Sequence, residues 1–383
     1  MYSQINKFIR LYRCIYRPVL PYSGMDFGYT LPRRLHGSGI NGFQARYTTS
    51  TSVLEDTVDD HDVDRNFMSS IANSIVFDRQ KSSKLVKEYV KSRNVVDIID
   101  SLDPSCGFRT DHVTPPVVQK ALEISTICYV CASSGVSLPE EVVIGYCNGF
   151  CKILSRMLVD TPGDSLLEAS KDISQLSLAL GNMLLSAAEY GKIAPVKHVP
   201  LSLLGDDLCN PFLDMASGSC INAVAFIAAL DGVGQSSSTY NRILEALSKK
   251  EMSLELRDFY YTKLWIHFLG TVVPGFRNQL GKGASTFLDN VIMSEHIVEA
   301  AVAYAENALF SKMREQKRDV DMNFLTIEPF VYPLVSSSAK ELYEPDNPES
   351  YFDQGSSTCL REYLKWRSAI AESSGWKVVR VGV

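Results

Sequence analysis

The sequence predicts a mainly α-helical protein that ends in a small α/β module. Apolar residues recur at three- and four-residue intervals from about residue 65 to 317, which is the spacing of amphipathic helices. Short Gly, Pro and Ser clusters separate these stretches, and short links favour antiparallel neighbours. From 322 to 383 the pattern changes to strand-like alternation around one helix. We therefore predict an α-solenoid-like array of antiparallel helices over 65–317, followed by a β-β-α-β module over 322–383.

Composition limits the class of protein. With 45% hydrophobic and 21% charged residues, the chain has ample material for a globular core. The nine cysteines show no disulfide-like spacing, which favours a reducing compartment. Because no uninterrupted apolar run reaches the ~18 residues that cross a bilayer, we expect no membrane span.

The first 64 residues differ from the rest in charge. Residues 1–50 hold seven basic side chains against one acid, a net charge of +6. Their apolar residues, such as Ile5, Phe8 and Ile9, fall on one side of a helical wheel. This pattern is typical of a mitochondrial presequence and predicts a location in the mitochondrial matrix; a disordered basic tail is the alternative. The acidic composition of residues 51–64 predicts a solvated linker. The chain beyond residue 50 carries a net charge of −12.

Individual helices follow from the apolar period and its breakers. The clearest runs from Leu166 to Tyr190, and Gly191 is expected to end it because glycine accepts the left-handed conformation that a helix stop requires. The full set of predicted helices is 80–92, 95–102, 115–133, 139–158, 166–190, 218–230, 239–249, 253–269, 285–293 and 295–316. Ser285 is the expected N-cap of the helix that begins there.

The C-terminal module is predicted from a helix, a glycine stop and a strand. Leu360, Leu364 and Ile370 give the helix an apolar side, Gly375 is a natural stop, and 376–381 alternate as a strand. A strand at this position must pair upstream, and 324–335 and 341–344 are the best partners.

This segment resembles the RAP domain of organelle RNA-processing proteins. The resemblance lies in Lys365-x-Arg367 with Ile370, in Gly375-Trp376-Lys377-Val378-Val379, and in the upstream stretch 340–352. It implies binding of single-stranded, organelle-encoded RNA in transcript processing, stability or ribosomal RNA assembly. The mitochondrial ribosome or another protein complex is a further partner that it implies, and no cofactor is expected. The residues that it marks for RNA contact are Arg361, Lys365, Arg367, Lys377, Arg380 and, for stacking, Trp366 or Trp376.

Two other functional classes stay open. An acidic body suits a structural subunit of a mitochondrial complex, whose helices would contact proteins. RAP domains also resemble a restriction-nuclease fold whose active form needs an E-x-K motif, and this chain has Glu341-x-Tyr343 there. Glu344 and Asp346 could hold a metal ion, but the catalytic lysine is missing, so we expect binding without cleavage. For the tryptophans, core packing is the alternative to base stacking, and we favour it for Trp376.

Four further patterns have a functional and a structural interpretation. Cys128, Cys131, Cys147 and Cys151 approach the spacing of a zinc site, but their apolar helical context favours core packing. Residues 275–283 imitate a phosphate loop without its Ser/Thr or its preceding strand, so we interpret them as a link between helices.

A basic stripe of Lys84, Lys87 and Lys91 fits phosphate contact, yet a solvated helix face is commoner. Leu85, Val86, Tyr89 and Val90 are expected to form the apolar side of that helix. The aromatic group Phe259, Tyr260, Tyr261, Trp265 and Phe268 could stack bases, but we expect it in the core.

Overall fold

The structure is a computed structural model, and every structural statement below refers to the residues that it describes. These are residues 68, 71–73, 75–76, 79–93, 115–160, 166–231, 236–273, 275–290, 325–327, 329–332, 334–352 and 359–382. They belong to one compact unit, Asp64–Val383. The predicted presequence 1–50, the acidic linker 51–64 and the predicted helices 95–102 and 295–316 lie outside them.

The described part of the chain is mainly helical. We number its helices α1 (Arg79–Arg93), α2 (Pro115–Ser134), α3 (Glu140–Asp160), α4 (Leu166–Glu189), α5 (Ile193–Val196), α6 (His198–Leu203), α7 (Cys209–Met215), α8 (Gly218–Asp231), α9 (Ser237–Lys249), α10 (Leu256–Val272), α11 (Lys282–Asn290) and α12 (Glu362–Ser373). The mainly helical class is confirmed, with a small C-terminal sheet as expected. Two predicted starts are wrong by three residues: α10 begins at Leu256 and not at 253, and α11 begins at Lys282 and not at 285. The backbone N–H of Ser285 donates to the carbonyl of Gly281 at 2.9 Å, inside the first turn of α11.

Helix α8 lies in the middle of the core because it is apolar all round. A helix without a polar face has no side to leave in water, and all but its last two residues are buried. Its one strongly polar interior residue, Asn222, is fully engaged. The amide of Asn222 donates to the carbonyl of Asp258 at 2.7 Å, and its oxygen accepts from Thr262 at 2.9 Å and Trp265 at 2.7 Å. These bonds fix α8 against α10.

Helices α4 and α8 cross at very short range. A Cβ atom placed on Gly181 of α4 would lie 3.0 Å from the Cα and 3.2 Å from the backbone nitrogen of Cys220 in α8. Glycine therefore permits backbone-to-backbone contact at this crossing. Helix α4 ends as predicted, since Gly191 has φ +69° and its N–H donates to the carbonyl of Ala188 at 2.9 Å.

The described residues form five short strands in two sheets. Strands β1 (Leu325–Ile327) and β2 (Phe330–Tyr332) make an antiparallel pair. Strands β3 (Val335–Ser336), β4 (Glu341–Asp346) and β5 (Lys377–Gly382) make a three-stranded sheet in that order. β3 and β4 are antiparallel, whereas β4 and β5 are parallel. A parallel pair needs a crossover connection, and α12 supplies it.

Candidate nucleic-acid interface

Helix α12 and strand β5 hold the residues that the RAP resemblance marks for RNA contact. The helix begins after Arg361, whose backbone is extended. It ends in a Schellman turn, in which Gly375 has φ +80° and the N–H of Trp376 donates to the carbonyl of Ala371 at 3.0 Å. β5 then follows directly. Helix, glycine turn and strand therefore lie where the sequence predicts them.

Of the seven marked side chains, three are buried, two are exposed and two are half-buried. Arg361, Trp366 and Arg367 are only 2%, 5% and 9% exposed. Lys365 and Lys377 are exposed, and Arg380 is half-buried. In this conformation the buried three are out of reach of a phosphate or a base, and the half-buried Arg380 already donates from Nη2 to the Leu364 carbonyl and the Ser368 hydroxyl, each at 3.3 Å. Of the marked basic residues, only Lys365 and Lys377 are exposed.

The exposed lysines form weak ion pairs with neighbouring acids. The Lys365 amine pairs with Glu362 one turn earlier, and the Lys377 amine lies 2.9 Å from a carboxylate oxygen of Glu341. The Lys377 side chain is 73% exposed. Exposed pairs of this kind contribute about 0–1 kcal/mol, so a phosphate can compete for both amines.

Arg367 holds the C-terminal module together internally. Its Nε and Nη2 atoms donate to one carboxylate oxygen of Glu344 at 3.1 and 2.6 Å, and Nη2 also donates to the carbonyl of Val331 at 3.0 Å. The guanidinium lies over the rings of Phe330 and Tyr332. One side chain of α12 thus ties β2 to β4.

Arg361 joins α12 to the helical body. Its Nη1 atom donates to the Ser83 hydroxyl in α1 at 3.1 Å, and its Nη2 atom donates to the carbonyl of Ser133 at the end of α2. The centroid of the Tyr363 ring lies close to two guanidinium groups, 4.9 Å from that of Arg361 and 4.3 Å from that of Arg79. We call Arg79, Ser83, Ser133, Glu189, Arg361 and Tyr363 the junction cluster.

The negative charge of the junction cluster comes from Glu189 at the end of α4. Arg79 donates from both terminal nitrogens to its two oxygens, at 3.0 and 2.8 Å. The Tyr261 hydroxyl also donates to Glu189 at 2.8 Å. Burial raises the pKa of Tyr261 well above its usual value, and the Glu189 charge raises it further. The phenol therefore keeps its proton and serves as a hydrogen-bond donor.

The tryptophans of the module pack rather than protrude. The Trp366 ring meets Phe226 of α8 edge-on, with centroids 5.1 Å apart. Trp376 is partly buried and packs against the same core. Packing of Trp376 is the interpretation that the sequence favours, and the structure agrees with it.

Helix α1 is the most basic surface element near this junction. Its fifteen residues include six basic side chains and one acid. Lys84 and Lys91 are exposed and Lys87 is half-buried. Arg361 donates to the hydroxyl of Ser83 in α1. The next residue, Lys84, therefore lies beside the contact between α1 and the C-terminal module. The predicted apolar side of α1 is narrower than expected, since Leu85 is 40% exposed while Val86 is buried.

The outer face of the three-stranded sheet carries the position where a nuclease would have its motif. The Tyr343 hydroxyl donates to one oxygen of Glu341 at 2.8 Å, and the Lys377 amine donates to the other at 2.9 Å. The carboxylate is therefore already held by two donors. Within the described ranges no group of three or more His, Cys, Asp or Glu side chains is arranged to hold a metal ion.

The remaining sequence patterns have structural roles. The side chains of Cys128, Cys131, Cys147 and Cys151 lie in the main core cluster. Burial raises the pKa of the Cys131 thiol to about 12, so this group stays protonated. Residues 275–281 link α10 to α11, with a short 3-10 turn at Phe276–Gln279, whereas Lys282 and Gly283 already belong to the first turn of α11.

Of the aromatic group on α10, Tyr260, Tyr261 and Trp265 are buried in the core. Phe259 and Phe268 pack against it. Both observations agree with the expected core role.

Sequence reasoning missed the junction cluster. Arg79 and Glu189 are separated by 110 residues, and Arg361 and Ser83 by 278. No local pattern connects positions so far apart. The sequence contains only an indirect indication: Glu189 stands alone among apolar residues at the end of its helix. This is unusual for a residue on a solvated surface.

One described helix, α3, has the length and apolar composition of a membrane span, with 44% of the relevant window buried inside the protein. A helix of a protein core meets the same criterion.

Comparison with known proteins gives no relative: no protein-family model matches the chain, and no curated protein shows significant similarity to it.

Proposed function

We propose that this protein binds single-stranded RNA in the mitochondrial matrix and does not cut it. Its role would be in organelle transcript processing, stability or ribosomal RNA assembly. The observation that carries the proposal is the contact between α1 and α12, which joins the most basic helix of the junction to the helix that resembles the RAP motif. The proposal includes the finer architecture, a solenoid-like array of antiparallel helices with a β-β-α-β module.

The proposed footprint consists of exposed lysines on two neighbouring elements. Lys84 and Lys91 lie on α1, and Lys365 and Lys377 belong to the C-terminal module. Each phosphate that a lysine neutralises releases counterions, so binding weakens with salt by about 0.7 log units per contact and per log unit of salt. A local basic patch is sufficient for this effect, even though the chain beyond residue 50 is acidic overall.

A salt titration of paired variants tests the proposal. The test variant is Lys84→Gln with Lys91→Gln, and the matched control is Lys152→Gln with Lys171→Gln, two exposed lysines on α3 and α4. With single-stranded RNA at several salt concentrations, the test variant should flatten the slope of log K against log salt by about 1.4. The control should keep the wild-type slope. Equal slopes for both variants would remove α1 from the footprint.

The acidic charge of the body favours a second candidate, a structural subunit of a mitochondrial complex. The same titration separates the two, because a subunit without RNA function would show no binding even at low salt. Adding Mg²⁺ or Mn²⁺ to the binding reaction tests the nuclease alternative. The RNA should remain intact, because Tyr343 stands where the nuclease motif has its catalytic lysine.

A further inference from the structure

Arg361 occupies a position where three parts of the fold meet. Its guanidinium contacts the Ser83 hydroxyl of α1, the Ser133 carbonyl at the end of α2 and the Tyr363 ring of α12. Since it is 2% exposed, it has no access to a phosphate. Its role must therefore be exerted through the elements that it joins.

The end of α2 suits an arginine for two reasons. Carbonyl groups in the last turn of a helix lack intrahelical donors and carry partial negative charge, which attracts a cation. Gly135 then leaves space: a Cβ atom there would lie 3.3 Å from Cδ and 3.4 Å from Nε of Arg361, and its φ of +79° favours glycine. The planar fork of arginine can reach two acceptors in fixed directions, which a lysine ammonium cannot do.

We propose that Arg361 is a positioning residue, which fixes the C-terminal module on α1 and α2 so that the lysines of α1 and of the module face one RNA strand. This inference rests on the proposed function for its RNA part. Its structural part, the fixed placement of α12, stands independently.

Hydrogen exchange tests the structural part without RNA. In Arg361→Met, the backbone amides of α12 should exchange at least tenfold faster than in the wild type, while those of α8 keep their protection. Arg242→Met is the matched control, because it removes an arginine that bonds Asn210 on the surface. Wild-type exchange rates in α12 of the Arg361 variant would refute the positioning role, whatever the RNA result.

RNA titration tests the functional part. In the wild type, Lys365→Gln with Lys377→Gln should flatten the salt slope by about 1.4. In the Arg361→Met background the same pair should have no further effect, because the module no longer faces the bound strand. If Arg361 only stabilises the fold, Arg361→Met will lower the melting temperature, but Lys365→Gln with Lys377→Gln will still flatten the salt slope at temperatures where the protein is folded. That result would overturn the proposal.

The two hypotheses fail in different ways. If Lys84→Gln with Lys91→Gln has no effect in the wild type, the RNA footprint is wrong and the exchange result still decides the role of Arg361. Should Arg361→Met not fold, Arg361→Lys gives the same test, because the shorter lysine side chain ends in a single ammonium and lacks the planar fork whose two nitrogens reach Ser83 and Ser133 separately.

Discussion

The buried pair of Arg79 and Glu189 should be one of the most sensitive points of the fold. Both side chains are nearly inaccessible, at 6% and 1% exposure, and two hydrogen bonds of 3.0 and 2.8 Å join them. Arg79→Met would leave the Glu189 carboxylate buried with only hydroxyl donors such as Tyr261. Removing one partner of a buried pair costs about 3–5 kcal/mol, because the remaining charge has lost water and its counterion. We expect that loss in the free energy of unfolding.

Urea denaturation measures the effect as a shift of the midpoint at unchanged slope. Arg79→Met with Glu189→Leu should recover most of the loss, since replacing both charges by apolar groups removes the unpaired charge. Arg156→Met is the control: its pair with Asp160 is 3.9 Å long with side chains 60% and 67% exposed, and should contribute about 0–0.5 kcal/mol. A cost below ~1 kcal/mol for Arg79→Met would refute the reasoning, because it would mean that water reaches Glu189.

Four further substitutions have defined outcomes. Gly181→Ala should lower the free energy of unfolding by about 1–3 kcal/mol in urea denaturation, because the new methyl group meets the backbone of Cys220. A Cβ atom on Gly149 would have no atom within 4 Å, so Gly149→Ala should instead stabilise by about 0.5–1 kcal/mol. Trp366→Ala should cost about 3–5 kcal/mol, since its ring packs on Phe226; a change within 0.5 kcal/mol would contradict that contact. Burial raises the pKa of Asp258 to about 6. The native state therefore keeps a proton that the unfolded state releases near pH 4. The free energy of unfolding of the wild type, relative to that of Asp258→Asn, should therefore fall by about 3 kcal/mol between pH 4 and 6 and stay constant above pH 6. If this difference in free energy does not change with pH, Asp258 is not desolvated.

Local chemistry made much of the helical part predictable. The sequence places helices at 115–133 and 218–230, and the structure has them at Pro115–Ser134 and Gly218–Asp231. Gly191 and Gly375 end their helices because only glycine adopts the left-handed turn at low cost. These features depend on neighbours within one or two turns, which is the range that a sequence pattern reports.

Shorter elements escaped prediction for a physical reason. The helices α5, α6 and α7 have four to seven residues, so each spans no more than about two helical turns. A period of 3.6 residues cannot be recognised over so short a span. The wrong N-cap at Ser285 has a similar cause, since Gly281 and Gly283 weaken the helix signal before it, although the helix already begins at Lys282.

The charged residues of the C-terminal module show what sequence composition cannot decide. Arg361 directly precedes α12, Lys365 and Arg367 lie in its first two turns, and by sequence the three are equivalent basic residues. The structure separates them because an arginine is stable in the interior only where acceptors surround it, and those acceptors come from elsewhere in the chain: Glu344 for Arg367, and Ser133 with Ser83 for Arg361. Lys365 meets no such set and stays in water. Two of the three charges therefore hold the module in place, and the third stays exposed beside Glu362. A basic helix in a small domain can thus owe its charge to docking as much as to nucleic acid, and counting lysines and arginines separately is the first step in telling the two apart.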